Sequence, residues 1–220
     1  MDAQVVLMSS ALTEEFVRLR STLLSMDPMP RSVAVLGASG QEGASMVAAR
    51  LAFSLAAVKS VGKVLLAEGN VRQPSLAQVL GCPARPGLLD WDMASDLPLL
   101  EVSRPQALSV MVAGQGDGLS SSTAVDDRLH KAAEQARANF DMVIWDAPAM
   151  TRWSDAVALA GACDGVIVVI EMDETRVDAL RFLRDTLARH RIPILGSVLN
   201  RAGRYWPRRR AVSASSATAG

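Results

Sequence analysis

Residues 32–36 form a short apolar run and residues 44–59 a long helical pattern. Between them lies Gly37-Ala38-Ser39-Gly40-Gln41-Glu42-Gly43-Ala44-Ser45. A glycine-rich turn that leaves a buried strand and enters a helix restricts the chain to few folds. Its backbone N–H groups and the helix N-terminus together make a concavity suited to an anion. The frame is that of a phosphate loop, but a nucleotide-hydrolysing loop carries lysine where Ala44 stands, as the point charge on the β- and γ-phosphates. The strict spacing Gly-x4-Gly-Lys would also need glycine at Ala38. The pattern suits a phosphate cradle, and the charge that drives phosphoryl transfer is missing. Taken alone, Gly37-x-x-Gly40-x-x-Gly43 also fits a dinucleotide-binding turn, or a strand–helix turn that simply needs glycine.

The rest of the chain repeats the alternation of apolar runs and helical patterns. Residues 13–26 read as a helix with Phe16, Leu19, Leu23 and Leu24 on one face and Thr13 as its cap. Strands are expected at 64–67, 142–145, 165–170 and 194–199, with shorter ones near 100–102 and 110–113. Helices are expected at 44–59, 74–80, 123–139, 154–162 and 175–190. Residues 114–122 read as a flexible loop. Runs such as 166–170 are apolar without alternation, as in strands buried on both faces. The fold class expected is therefore α/β, a three-layer sandwich with a mostly parallel central sheet. One domain is expected over residues 1–203, followed by a basic and then Ala/Ser-rich tail over 204–220, read as disordered.

Composition narrows the function classes. The chain has 220 residues, half of them apolar, with 23 basic and 23 acidic side chains. That balance gives no global field toward nucleic acid. Cys82 and Cys163 lack metal-like spacing and read as small buried thiols. His130 and His190 read as solvated helix positions. There is no signal-peptide pattern, and the longest apolar runs are strand-length, so a cytoplasmic chain is expected. Trp91 and Trp153 are candidates for a partner surface, or for core or edge packing.

Four further segments carry chemistry in a fixed order. Glu68-Gly69-Asn70-Val71-Arg72 follows the second strand, and Asp146-Ala147-Pro148-Ala149 follows the strand at 142–145. Cys163-Asp164-Gly165 opens the next strand, and Asn200-Arg201 ends the last. With the glycine loop, this ordered set resembles the bacterial tyrosine kinases of capsule and exopolysaccharide machinery, relatives of the MinD/ParA ATPases. The resemblance runs from about Leu12 to Arg201.

The resemblance implies roles residue by residue. Ser39, Gly40, Gly43 and Ser45 fall on the phosphate-binding pattern, with Ala44 in place of its lysine. Ser45 and Asp146 would hold magnesium, Asp146 through water. Glu68 and Asn70 replace both aspartates of the family's Asp-x-Asp-x-Arg motif, and Arg72 matches its arginine. Asn200 matches a position that contacts adenine. Losing the lysine removes a charge-assisted contact of roughly 1.5–3 kcal/mol. Arg72 is the better candidate for a surviving cation than Lys59 or Lys63. The family's C-terminal tyrosine cluster is reduced to Tyr205. Its oligomerisation helix pattern Glu-x-x-Arg-x-x-Arg reads Glu14, Val17, Arg20.

The implied reading is a degenerate, pseudokinase-like member, with no catalytic residue assigned and with ATP, ADP and Mg binding weak or lost. Its implied partners are the cytoplasmic segment of a membrane co-polymerase or chain-length protein, further copies of itself, or a competent kinase. Two alternatives stay open: a weakly active ATP-binding kinase or ATPase, and a dinucleotide-binding regulatory protein. Dehydrogenase chemistry of the Tyr-x-x-x-Lys type is excluded, since no lysine follows Lys131.

Overall fold

A computed structural model describes residues 10–102, 105, 107–116, 122–151 and 155–201. The tail at 204–220, Tyr205, Trp153 and most of the loop at 114–122 lie outside them.

Helix α1 (Ser10–Leu24) leads into β1 (Ser32–Gly37), followed by α2 (Ala44–Ala56), β2 (Val64–Glu68) and the short α3 (Leu76–Leu80). Strands β3 (Leu100–Glu101) and β4 (Leu108–Met111) come next. Then follow α4 (Ser122–Asn139), β5 (Met142–Asp146), α5 (Asp155–Gly161), β6 (Gly165–Glu171), α6 (Val177–Arg189) and β7 (Ile194–Asn200). The seven strands form one sheet in the order β3-β4-β2-β5-β1-β6-β7. All neighbours are parallel except β3 and β4. This is the expected α/β sandwich.

Side-chain parity along the strands separates two cores. Val33, Val35, Leu66, Ile144 and Ile167 face one side, with Val47, Leu51 and Leu55 of α2, Leu76 and Leu80 of α3, and Leu23 of α1. Ala34, Leu36, Leu65, Trp145 and Val168 face the other, with Leu129 of α4, Leu159 of α5, and Leu183 and Leu187 of α6. Alanines dominate the sheet-facing side of α2, which lets its backbone lie close to the strands.

Several boundaries differ from expectation. Helix α1 begins at Ser10, so Thr13 lies inside the helix and is not its cap. Helix α2 stops at Ala56, and Lys59 belongs to a separate 3-10 turn, Lys59–Val61, closed by Gly62 at φ 83°. Pro74 stays outside α3, with Ser75 at the N-cap position. Strand β4 starts at Leu108, two residues early, because it must register with Val64. For Trp91 the core-packing alternative holds: it is buried, and its indole N–H donates to the Ser95 carbonyl. Both cysteines are only half-buried, although the surroundings of the Cys163 thiol push its pKa up to about 12. His130 is exposed, as expected.

Candidate functional site

Strands β1, β2 and β5 are neighbours and end on the same edge of the sheet, where the glycine loop begins. Register pairs Val35 with Asp146 and Glu68 with Asp146. Alternation turns both carboxylates toward the α2 side, one position beyond Leu66 and Ile144 on that face. The sheet thus delivers two buried acids to the start of α2, which lies at the loop.

The loop is folded as an anion nest. Gly40 has φ 95° and Gly43 φ 83°, values that glycine adopts without strain. Gly43 occupies the N-cap position of α2 and supplies no side-chain cap. Ala44 and Ser45 open the helix, and Ala44 packs against the α2-side core.

The nest holds a carboxylate from its own chain. Glu42 accepts hydrogen bonds from the Ser39 amide (2.7 Å), the Ser39 hydroxyl (2.7 Å), the Gly40 amide (2.7 Å) and the Gln41 amide (2.9 Å). Its side chain is 1% exposed. Burial works to raise its pKa, but the Ser39 and Gly40 donors outweigh it and hold the group below the usual range. Sequence reasoning assigned Ser39 and Gly40 to this cradle and missed Glu42. The available signal was an acid placed inside a loop built to attract anions.

Asn200, at the end of β7, reaches the same loop. Its amide donates to the Glu42 carbonyl at 2.8 Å, and a Cβ on Gly43 would come within 2.5 Å of its nitrogen. The segment after β5 is also clipped to the loop, through Thr151, whose amide and hydroxyl both donate to the Ala38 carbonyl.

The remaining predicted residues divide into two groups. Asp146 is 1% exposed, and neither carboxylate oxygen has a hydrogen-bond partner. Burial drives its pKa up to about 7; the nearby Ser45 hydroxyl restrains the rise and the Glu68 charge adds to it. Ser45 accepts from the Ser75 hydroxyl at 2.8 Å, which leaves its own proton free to turn toward Asp146. An orphaned buried carboxylate beside a hydroxyl suits a divalent cation, so the metal half of the site fits the expected Ser45 and Asp146.

The other group is committed elsewhere. Glu68 accepts from the amides of Ser75, Leu76 and Ala113, binding the start of α3 to the segment just after β4. Burial pushes its pKa up against those three amides. Asn70 accepts from the Gln73 amide in a turn. Arg72 pairs with Asp155 on α5 at 2.7 Å, with only 2% of the Asp155 side chain exposed. The structure therefore does not bring Arg72 forward as a replacement for the missing lysine. The phosphate half, with Ala44 for lysine and a carboxylate in the nest, does not fit a nucleotide polyphosphate as it stands.

Known proteins resemble the chain in sequence and in fold. The chain is 31% identical over 201 residues to the succinoglycan biosynthesis transport protein ExoP of Rhizobium meliloti, covering 83% of this chain and 24% of that protein. It is 26% identical to the tyrosine-protein kinase YwqD of Bacillus subtilis, covering 86% of this chain and 80% of that one. The crystal structure of the VpsO kinase domain superposes with a TM-score of 0.70 at 25% identity, over 86% of this chain and 95% of that one. The relatives this chain matches are thus named as a bacterial tyrosine kinase and an exopolysaccharide transport protein, and its structural neighbours include such kinase domains. The chain spans about a quarter (24%) of the length of ExoP. The septum site-determining protein MinD of Pyrococcus horikoshii, solved with Mg-ADP, shares the fold at a TM-score of 0.63 and 20% identity, over 79% of this chain and 71% of that one. No protein-family model matches the chain. No helix among the described residues is long and apolar enough to cross a membrane.

Proposed function

We propose that this chain is a degenerate bacterial tyrosine kinase. It serves exopolysaccharide or capsule synthesis or export by binding a partner rather than by transferring phosphate. The observation that carries this reading is the engagement of Glu68 by the Ser75, Leu76 and Ala113 amides. A carboxylate spent on joining α3 to the segment just after β4 is unavailable to organise a metal–phosphate complex. The absence of lysine at 44 and the pairing of Arg72 with Asp155 point the same way. The partner is the cytoplasmic segment of a membrane co-polymerase or chain-length protein, or a competent kinase of the same pathway, and membrane recruitment follows from that contact. A second reading, weak ATP binding and hydrolysis, is favoured by Asp146, whose unpartnered carboxylate beside Ser45 keeps the cation position.

The test is phosphoryl transfer from labelled ATP by the wild type and by Ala44→Lys, with and without the co-polymerase segment. Neither protein is expected to label itself or the segment, because Glu68 and Asn70 still lack the family's aspartates. Strong labelling by Ala44→Lys alone would overturn the reading.

A further inference from the structure

We propose that Glu42 is the resident anion of the glycine loop, a built-in competitor that a phosphate-bearing ligand must displace before the loop can hold it. The inference rests on reading the loop as a phosphate cradle, and it names what regulates that cradle.

The geometry is that of an anion site already filled. Three backbone amides and one hydroxyl converge on the two carboxylate oxygens at 2.7–2.9 Å. These are the groups by which such a nest holds a phosphate, and they supply dipoles rather than a full positive charge. The side chain is seated, not draped over the surface. It is 1% exposed, and a Cβ on Gly37 would meet its Oε2 at 2.3 Å, so glycine at 37 makes its room. The Glu42 backbone is held from the far side by Asn200, which donates to its carbonyl.

Nearby charge does not pull the carboxylate out. The cleft of about 240 Å³ beside it is lined by Ser39, Gln41, Glu171, Glu174, Thr175 and Arg201, and Arg201 is paired with Glu171. With Glu171 neutralised by Arg201, Glu174 is the further acid at the mouth, and it disfavours a polyphosphate and leaves Glu42 in place. Where a lysine at 44 would favour an incoming phosphate over the carboxylate, Ala44 offers no charge. An internal acid therefore competes with nucleotide at a high effective concentration and without the cost of association. The cradle opens when Glu42 is withdrawn, and a partner that moves β7 or Asn200 is placed to do it.

The experiment is calorimetric titration of Mg-ADP into nucleotide-stripped wild type, Glu42→Ala and Glu42→Gln, each checked for folding by its melting curve. Amide resonances of Ser39, Gly40 and Gln41 are followed in the wild type. We expect Glu42→Ala to bind Mg-ADP at least about tenfold tighter than the wild type, and Glu42→Gln also tighter. The wild-type amides should stay unmoved by millimolar ADP. Equal or weaker affinity in either folded variant overturns the inference, as do wild-type amides that saturate at micromolar ADP. These results leave the pseudokinase reading standing. A gain in affinity accompanied by phosphoryl transfer supports the inference and overturns that reading.

Discussion

At the residue scale, the site turns on where carboxylates find their hydrogen bonds. Glu42 and Glu68 take theirs from backbone amides, and Asp146 takes none. An acid buried without donors prefers its proton. The Asp146 pKa rises from 3.8 to about 7, so between those values the folded protein holds a proton that the unfolded chain has released. Stability then falls as pH rises through that window, and the penalty is complete above it, about 4 kcal/mol in all. Asp146→Asn should remove most of this slope. Urea denaturation without divalent cation should give the variant a higher midpoint than the wild type at alkaline pH and little difference at acidic pH. An unchanged pH slope would show that Asp146 is ionised in the fold.

At the element scale, short irregular segments are held to the regular ones by single side chains. Arg128 of α4 donates to the carbonyls of Leu88, Leu89 and Trp91, capturing the 3-10 turn Leu88–Asp90 and the residue after it. Trp91 and Leu88 both lie in the core facing α4. Removing the guanidinium leaves the Leu89 and Trp91 carbonyls to find water in a partly buried place, while the Leu88 carbonyl keeps the Trp91 amide, a cost of about 1–3 kcal/mol. Arg128→Ala should therefore lower stability by that amount and raise amide exchange in the segment around Trp91 first. Uniform faster exchange across the sheet, with no local change, would mean that Arg128 does not anchor this turn. Asp164 does similar work at the start of β1, accepting from the Arg31 and Ser32 amides and from Arg137 of α4.

At the scale of the whole molecule, two groups of acids pull the pH dependence in opposite directions. Burial opposes ionisation of both Glu42 and Asp164. Hydrogen bonds from Ser39 to Glu42, and from Arg137 to Asp164, outweigh it and hold both pKa values low. Each contributes stability above its unfolded pKa that is lost as pH falls through its folded one. Asp146 and Glu68, both raised by burial, act in the other direction as pH climbs. The stability maximum should therefore lie on the acidic side of neutrality, with decline on both sides. Thermal melts across a pH series check this, and a plateau extending through alkaline pH would contradict it.

The sequence by itself determined the layered fold and the position of the site within it. Non-alternating apolar strands have to be buried on both faces, and the glycine turn has to join β1 to α2. Both follow from local chemistry, so residues 32–45 and the end of β5 were legible, as was the lysine's absence. Tertiary structure decided which partner each polar group found. Glu68 and Ala113 lie 45 positions apart, Arg72 and Asp155 83 apart, and Asn200 and Glu42 158 apart. Nothing local to Glu68 or Arg72 says that each is already spent on a distant element. Even Glu42, bonded within its own loop, reaches Ser39 and Gly40 only because the packed sheet and α2 fold the loop into a nest. A carboxylate takes the donors that the finished fold leaves nearest, and the sequence does not fix which those are.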